Sequence, residues 1–221
     1  MSPLNLILLG APGSGKGVQC EFLLKHYGLA HISTGNILRQ EVAAESDLGI
    51  EAKSFMDKGL YVPDELIFRI LEKELAGEKC SKGFILDGVP RTLAQAEALD
   101  EIMTKQGKTL SKAINLEVRE QTLVSRIVNR RSCLKCGRVY NLIGMPPKTA
   151  GKCDDCQTDL FHRADDNEET VRKRFTEYES KTKQPLVDFY TRKGILLSLD
   201  GEIRKEDLFQ MICNNLDMSN K

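Results

Sequence analysis

The chain predicts an α/β fold, a five-stranded parallel sheet flanked by helices, and three observations carry that prediction. Short apolar runs alternate with longer helical patterns along most of the 221 residues, as crossover connections between parallel strands require. The first run empties into the glycine-rich turn Gly10-Ala11-Pro12-Gly13-Ser14-Gly15-Lys16-Gly17, where a helix N-terminus can seat an anion. A later run, Phe84-Ile85-Leu86, closes on Asp87, at the strand end where open α/β sheets keep their binding crevices.

In chain order, strands are expected at Leu4–Leu9, near Ala30–Ile32, at Phe84–Leu86, at Ala113–Val118 and at Ile195–Leu199. Each is a short apolar run that ends in a turn signal. Helices are expected from Lys16 to about His26, then over Asn36–Glu45, Asp64–Leu75, Leu93–Lys105 and Glu120–Arg131. Two more follow, from Glu168 to about Arg192 with Pro185 bending or interrupting it, and over Lys205–Leu216. Between Arg131 and Asp166 the pattern stops and Gly, Pro and Cys take over. That segment is too long for an ordinary connection and must be a small unit with its own support.

The length allows one core with insertions and falls short of two full-sized domains. Lys and Arg number 32 against 32 for Asp and Glu, so no overall field favours nucleic acid or an anionic membrane. The opening Met1-Ser2-Pro3-Leu4-Asn5 lacks a basic region, and the apolar run after it is short, so neither a signal peptide nor a membrane span is expected. A cytoplasmic protein is the expectation. Of seven cysteines, four fall in two C-x-x-C pairs, which suits a metal site in a reducing compartment. Cys20, Cys80 and Cys213 read as small hydrophobes.

The first glycine-rich turn has the spacing G-x-x-x-x-G-K of a phosphate-binding loop, with Lys16 as the mobile cation and Gly17 where Ser or Thr is general. A glycine-rich strand-to-helix turn without a ligand is the alternative. Asp87 can hold the water shell of Mg2+ beside that loop. Arg91 can grip a phosphate bidentately, as Lys cannot. Taken alone, the two also make a strand-ending turn with a surface Arg. In Ser33-Thr34-Gly35-Asn36-Ile37-Leu38-Arg39, Ser33 or Thr34 can cap a helix and Arg39 can receive a second anion about one turn in. A simple cap with a solvated Arg fits equally. Arg126 and Arg130 are spaced to share a helix face, and Arg163, Arg172 and Arg174 gather at the start of another. A solvated basic face is expected for Arg131 and Arg172.

With these residues in place the chain resembles bacterial adenylate kinases of the long-lid type, which are P-loop nucleoside monophosphate kinases. The likeness runs through Gly10–Gln19, Ser33–Arg39, Asp87–Thr92 with Gln95, Arg126–Arg131, Gly137–Asn141, Pro146-Pro147-Lys148 and Arg163–Arg174. It implies a core of residues 1–32, 63–128 and 167–221, an AMP-binding insertion of 33–62 and a zinc-binding lid of 129–166. It implies AMP contacts from Thr34, Gly35, Arg39, Met56, Gly88, Val89, Pro90, Arg91 and Gln95, with the backbone of Leu60, Tyr61 and Val62 over the base. On the ATP side it implies Gly13, Ser14, Gly15, Lys16, Gly17 and Val18, with Arg126 beside the adenine and Val139, Tyr140 and Ile203 nearby. Arg130, Arg163 and Arg174 go to phosphates, the last two shared with AMP. Lys16, Asp87, Arg91, Arg126, Arg163 and Arg174 form the implied catalytic set, and Asp165 and Asp166 are implied hinge carboxylates. Gln95 offers an adenine edge both donor and acceptor.

Two positions depart from the family's habit. Val18 stands where Thr is common, which removes a hydroxyl and implies weaker or altered nucleotide binding without loss of activity. Val89 stands where Phe is usual, before a Val89–Pro90 bond that the family suggests is cis.

Cys133, Cys136, Cys153 and Cys156 follow the pattern C-x2-C-x16-C-x2-C, the spacing of a tetrahedral four-thiolate zinc site. A closed shell of four thiolates leaves no place for water, so the metal is structural. Two disulfides, or iron in the same cage, remain open alternatives. Gly137 suits a tight knuckle, whereas Gln157 is a less usual follower.

The reaction so implied is MgATP + AMP to two ADP, reversible, by in-line transfer, which would maintain the adenine nucleotide balance. An AMP phosphate oxygen is already anionic at neutral pH, so no general base is needed, and His26, His31 and His162 read as bystanders. The expected partners are ATP, AMP and ADP, without nucleic acid or membrane, on a monomer. A kinase for UMP, CMP or GMP is the nearest rival, disfavoured by Gln95 and Thr34. A zinc-ribbon nucleic-acid binder is a remoter one, disfavoured by balanced charge and few aromatics.

Overall fold

A computed structural model describes residues 3–58 and 60–219. Five strands, β1 (Leu4–Leu9), β2 (Ala30–Ser33), β3 (Gly83–Asp87), β4 (Lys112–Glu117) and β8 (Leu196–Asp200), form one sheet in the order β2-β3-β1-β4-β8. All its pairings are parallel. Side chains alternate across the sheet, so Ile7, Leu9, Phe84 and Leu86 join one apolar cluster while Leu6, Leu8 and Ile85 join another. Helices α4 (Asp64–Leu75), α5 (Leu93–Lys105) and α8 (Gln184–Arg192) supply the first cluster. Helices α1 (Lys16–Tyr27) and α9 (Lys205–Ser219) supply the second. The expected sheet of five parallel strands between helical layers is therefore the observed one.

Between β2 and α4 lie two helices, α2 (Thr34–Ala43) and α3 (Asp47–Met56). Sequence reading expected only the first of them, starting at Asn36. Ser33 occupies the N-cap position of α2 without a side-chain cap bond, a correction to the expected cap. Ser46 caps α3 by accepting from Gly49 N–H at 3.1 Å. Gly49 is required there, because an added Cβ would lie 2.1 Å from the Glu41 carbonyl oxygen.

Helix α6 (Glu120–Val128) ends earlier than expected. Arg130 and Arg131 belong to strand β5 (Arg130–Cys133), so Arg126 and Arg130 do not share a helix face. Strand β5 pairs antiparallel with β6 (Val139–Asn141) and β7 (Leu160–Phe161) in a separate three-stranded sheet. The expected helix from Glu168 is divided into α7 (Glu168–Glu177), a π-helical stretch over Tyr178–Lys183, and α8. Pro185, in the first turn of α8, has no N–H to return to the preceding turn, which favours such a break.

Candidate active site

The loop from β1 to α1 is shaped by its glycines. Gly13 and Gly15 hold φ of +84° and +99°, a left-handed backbone that L side chains rarely adopt. At Gly13 a Cβ would also press on Ile127 at 2.9 Å. Lys16 folds back over this loop, donating to the carbonyls of Gly10 at 2.6 Å and Ala11 at 2.9 Å. Burial lowers its pKa to about 8, against an opposing pull from Asp87 and with help from Arg91. Asp87 faces Leu8 in the β1–β3 register and Ser33 in the β2–β3 register, which sets it beside the loop. Burial would raise the Asp87 carboxyl, but His31, Lys16 and Arg91 hold it below the usual carboxylate range. His31, read as a bystander, places Nε2 3.8 Å from Asp87 Oδ2. Arg126 closes the other side of the loop, both terminal nitrogens donating to the Gly201 carbonyl at 3.2 Å.

Across the cleft, Thr34 is buried at the start of α2, and Arg39 donates to Asn36 Oδ1 at 2.6 Å. Arg91 Nε donates to the Gly88 carbonyl at 2.7 Å, and its guanidinium lies 5.3 Å from the centre of the Tyr61 ring. Tyr61 in turn hydrogen-bonds Thr182 in the π-helical stretch at 2.6 Å. Gln95 already has partners. Its Oε1 accepts from Arg91 N–H at 2.7 Å and its Nε2 donates to Asp64 Oδ1 at 2.6 Å. The Val89–Pro90 bond is cis.

The arginines of the second half converge on two carboxylates. Arg130 holds the fully buried Asp166 through two nitrogens, with Nε at 2.7 Å. Arg174 pairs with Asp165 at 2.7 Å, and Arg163 Nε donates to Ser132 Oγ at 2.8 Å. Burial, reinforced by repulsion from Arg130 and Arg39, pushes Arg163 down to about 9. Burial also brings Arg174 to about 10, the Asp165 attraction opposing it. Such crowding of cations favours the binding of a polyanion between them. Arg172 is exposed and paired with Glu168 and Glu120, as expected of a solvated face.

Lys16, Asp87, Arg126, Thr34, Arg39, Arg91, Gln95, Arg130, Arg163, Asp165 and Arg174 line one cavity of about 870 Å³, while Asp166 and Arg172 stand outside it. Among the described residues singled out from sequence for nucleotide contact, Val89 does not line it; it is packed in the sheet core instead. Tyr140 lines the cavity, but its side chain is only 1 % exposed and packs with Cys133 and Cys153. Its hydroxyl donates to Cys153 Sγ at 3.5 Å and accepts from Asp154 N–H at 2.7 Å. The ring therefore packs inside the four-cysteine segment while the residue still borders the cavity.

The four Sγ atoms of Cys133, Cys136, Cys153 and Cys156 lie within 4.8 Å of one another, with Cys133–Cys156 at 3.4 Å and Cys136–Cys153 at 3.5 Å. A tetrahedral Zn–S4 cage has S–S edges of about 3.8 Å, whereas a disulfide needs about 2.05 Å. The donor set thus fits Zn2+ and not two disulfides. Gly137 and Gln157 take matching left-handed φ of +76° and +57°, so Gln157 completes the second knuckle despite its side chain.

A parallel sheet with a phosphate loop, a strand-end carboxylate and arginines on both walls of a cleft defines a P-loop phosphotransferase of the nucleoside monophosphate kinase class. The family model described as "Adenylate kinase" matches residues 8–195. The chain is 46 % identical to an adenylate kinase of Thermodesulfovibrio yellowstonii, over 97 % of this chain and 99 % of the relative. It is 51 % identical to one of Archaeoglobus fulgidus, over 90 % and 91 %, and 48 % identical to one of Bacillus subtilis, over 93 % and 94 %. The chain belongs to the adenylate kinase family. No helix among the described residues is long and apolar enough to cross a membrane.

Proposed function

We propose that the cavity binds MgATP and AMP together and transfers the γ-phosphoryl group between them, giving two ADP reversibly. The observation that carries this reading is the convergence of ten Lys and Arg side chains, among them Lys16, Arg91, Arg130, Arg163 and Arg174, on one cavity lined by only five carboxylates. ATP phosphates lie on the loop Gly13–Val18, with Arg126, Val139 and Ile203 around its base and ribose. AMP lies against Thr34, Gly35, Arg39, Met56, Gly88, Pro90, Arg91 and Gln95, under Leu60, Tyr61 and Val62. The attacking AMP oxygen is already anionic, so positioning and charge neutralisation suffice and no base is required. Asp87 would hold the water shell of the Mg2+ that accompanies ATP, which neutralises phosphate charge.

In this reading residues 33–62 close over AMP and residues 129–166 close over ATP, excluding water as a competing acceptor. Zn2+ held by the four cysteines is structural, supplying stability that the short lid strands lack. A cytoplasmic location accords with paired cysteines suited to a reducing compartment. The test is an acceptor comparison: with MgATP, AMP is expected to be phosphorylated far faster than UMP, CMP or GMP. Comparable rates would overturn the assignment of AMP.

A further inference from the structure

We propose that Asp64 sets the base specificity of the acceptor site by fixing the direction of the Gln95 amide. The inference rests on the reading of Gln95 as the group that meets the acceptor base. Gln95 is 2 % exposed and lines the cavity, whereas Asp64 does not line it. Two short hydrogen bonds, to Asp64 Oδ1 and from Arg91 N–H, hold opposite ends of the amide. An Asp carboxylate only accepts and a backbone N–H only donates. The NH2 end must therefore face Asp64 and the carbonyl end must face Arg91. Reversal would set oxygen against carboxylate and N–H against N–H in a buried place, two unmade bonds at once.

That direction decides which base fits. After its two internal bonds the amide has one N–H and one lone pair left to offer, in a fixed order. Adenine presents an acceptor at N1 beside a donor at N6. Hypoxanthine, of the same shape, presents a donor at N1 and an acceptor at O6. The held amide complements the first, and only the reversed amide complements the second in the same pose. Asp64 is itself anchored: Thr92 Oγ1 donates to its Oδ2 at 3.3 Å while accepting from Gln95 N–H at 3.1 Å. Its place as the first residue of α4 puts the carboxylate at the positive end of that helix.

The experiment compares kcat/KM for AMP and for IMP, with MgATP as donor, in the unaltered chain, Asp64→Asn and Asp64→Ala. The AMP-to-IMP ratio is expected to fall by about tenfold or more in both variants, the effect of one charge-assisted hydrogen bond. The loss should sit in KM for AMP, with KM for ATP unchanged. Folded variants that keep the ratio within twofold would overturn the inference, and so would failure of both to fold, which would make Asp64 a structural residue. If the unaltered chain itself does not prefer AMP, the reading of the acceptor site falls instead.

Discussion

Lys16 donates to the carbonyls of Gly10 and Ala11, and burial has brought its pKa to about 8. The lysine is charged below that value and neutral above it, so kcat/KM for ATP, which reports the free enzyme, is expected to decline as pH rises through about 8. Bound phosphate favours the charged form, so kcat should hold to higher pH. A kcat/KM profile flat across that region would remove Lys16 from the donor site. Lys16→Met and Arg91→Ala are each expected to lower kcat by about 10²–10³-fold, the cost of one transition-state contact, with the fold intact by circular dichroism. Near-normal rates would take either residue out of the site. At this scale the sequence was most legible where backbone shape and charge make a motif, as at Gly13, Lys16, Asp87 and Arg91. It was least legible where a side chain's partner lies far along the chain, as with Tyr140 on Cys153 or Asp64 on Gln95. Val18 is half-buried on α1 and donates its N–H to the Gly15 carbonyl; nothing in the structure explains the missing hydroxyl.

The elements divide by how they are held. Strands of the central sheet are long enough, and apolar enough on both faces, to announce themselves. Those of the three-stranded sheet, with four, three and two residues, cannot sustain a sheet alone and show no periodicity to read. Elemental analysis is expected to find about one metal per chain. Cys133→Ser/Cys153→Ser should lose it and melt earlier in calorimetry, while the central sheet persists. An unchanged melting profile would end the structural role of the metal. Helix α3 escaped notice because a cap, not an apolar stripe, starts it: Glu45 turns the chain at φ +52° and Ser46 receives Gly49 N–H. Ser46→Ala is expected to cost about 1 kcal/mol, a drop of about 2–4 °C in Tm for a chain of this size. The overrun of α6 has a similar origin. No proline or glycine marks its end, and Arg130 leaves the helix because β6 and Asp166 capture it.

Across the molecule, α2 and the four-cysteine segment approach one another beside one cleft, and in the proposed reading both are flaps. Asn36 Nδ2 of α2 lies 3.8 Å from where a Cβ on Gly137 of the first cysteine knuckle would stand. Hydrogen exchange at the flaps is expected to slow when both nucleotides bind, over α2 and α3 and over β5 to β7, with little change in β1, β3 and β4. Protection spread evenly through the chain would contradict flap closure. ATP without AMP should be hydrolysed far more slowly than it is spent on AMP, since the closed cleft withholds water.

The paired contact of Arg130 with Asp166 bears on how the chain could be re-engineered. It holds Arg130 and Asp166, which flank the four-cysteine segment in sequence, side by side. An insert whose ends are already neighbours can be lengthened, shortened or exchanged for another hairpin with little new loop-closure cost. A replacement segment that keeps the Arg130–Asp166 pair is therefore expected to leave the register of the parallel sheet unchanged, with hydrogen exchange over β1, β3 and β4 as the readout.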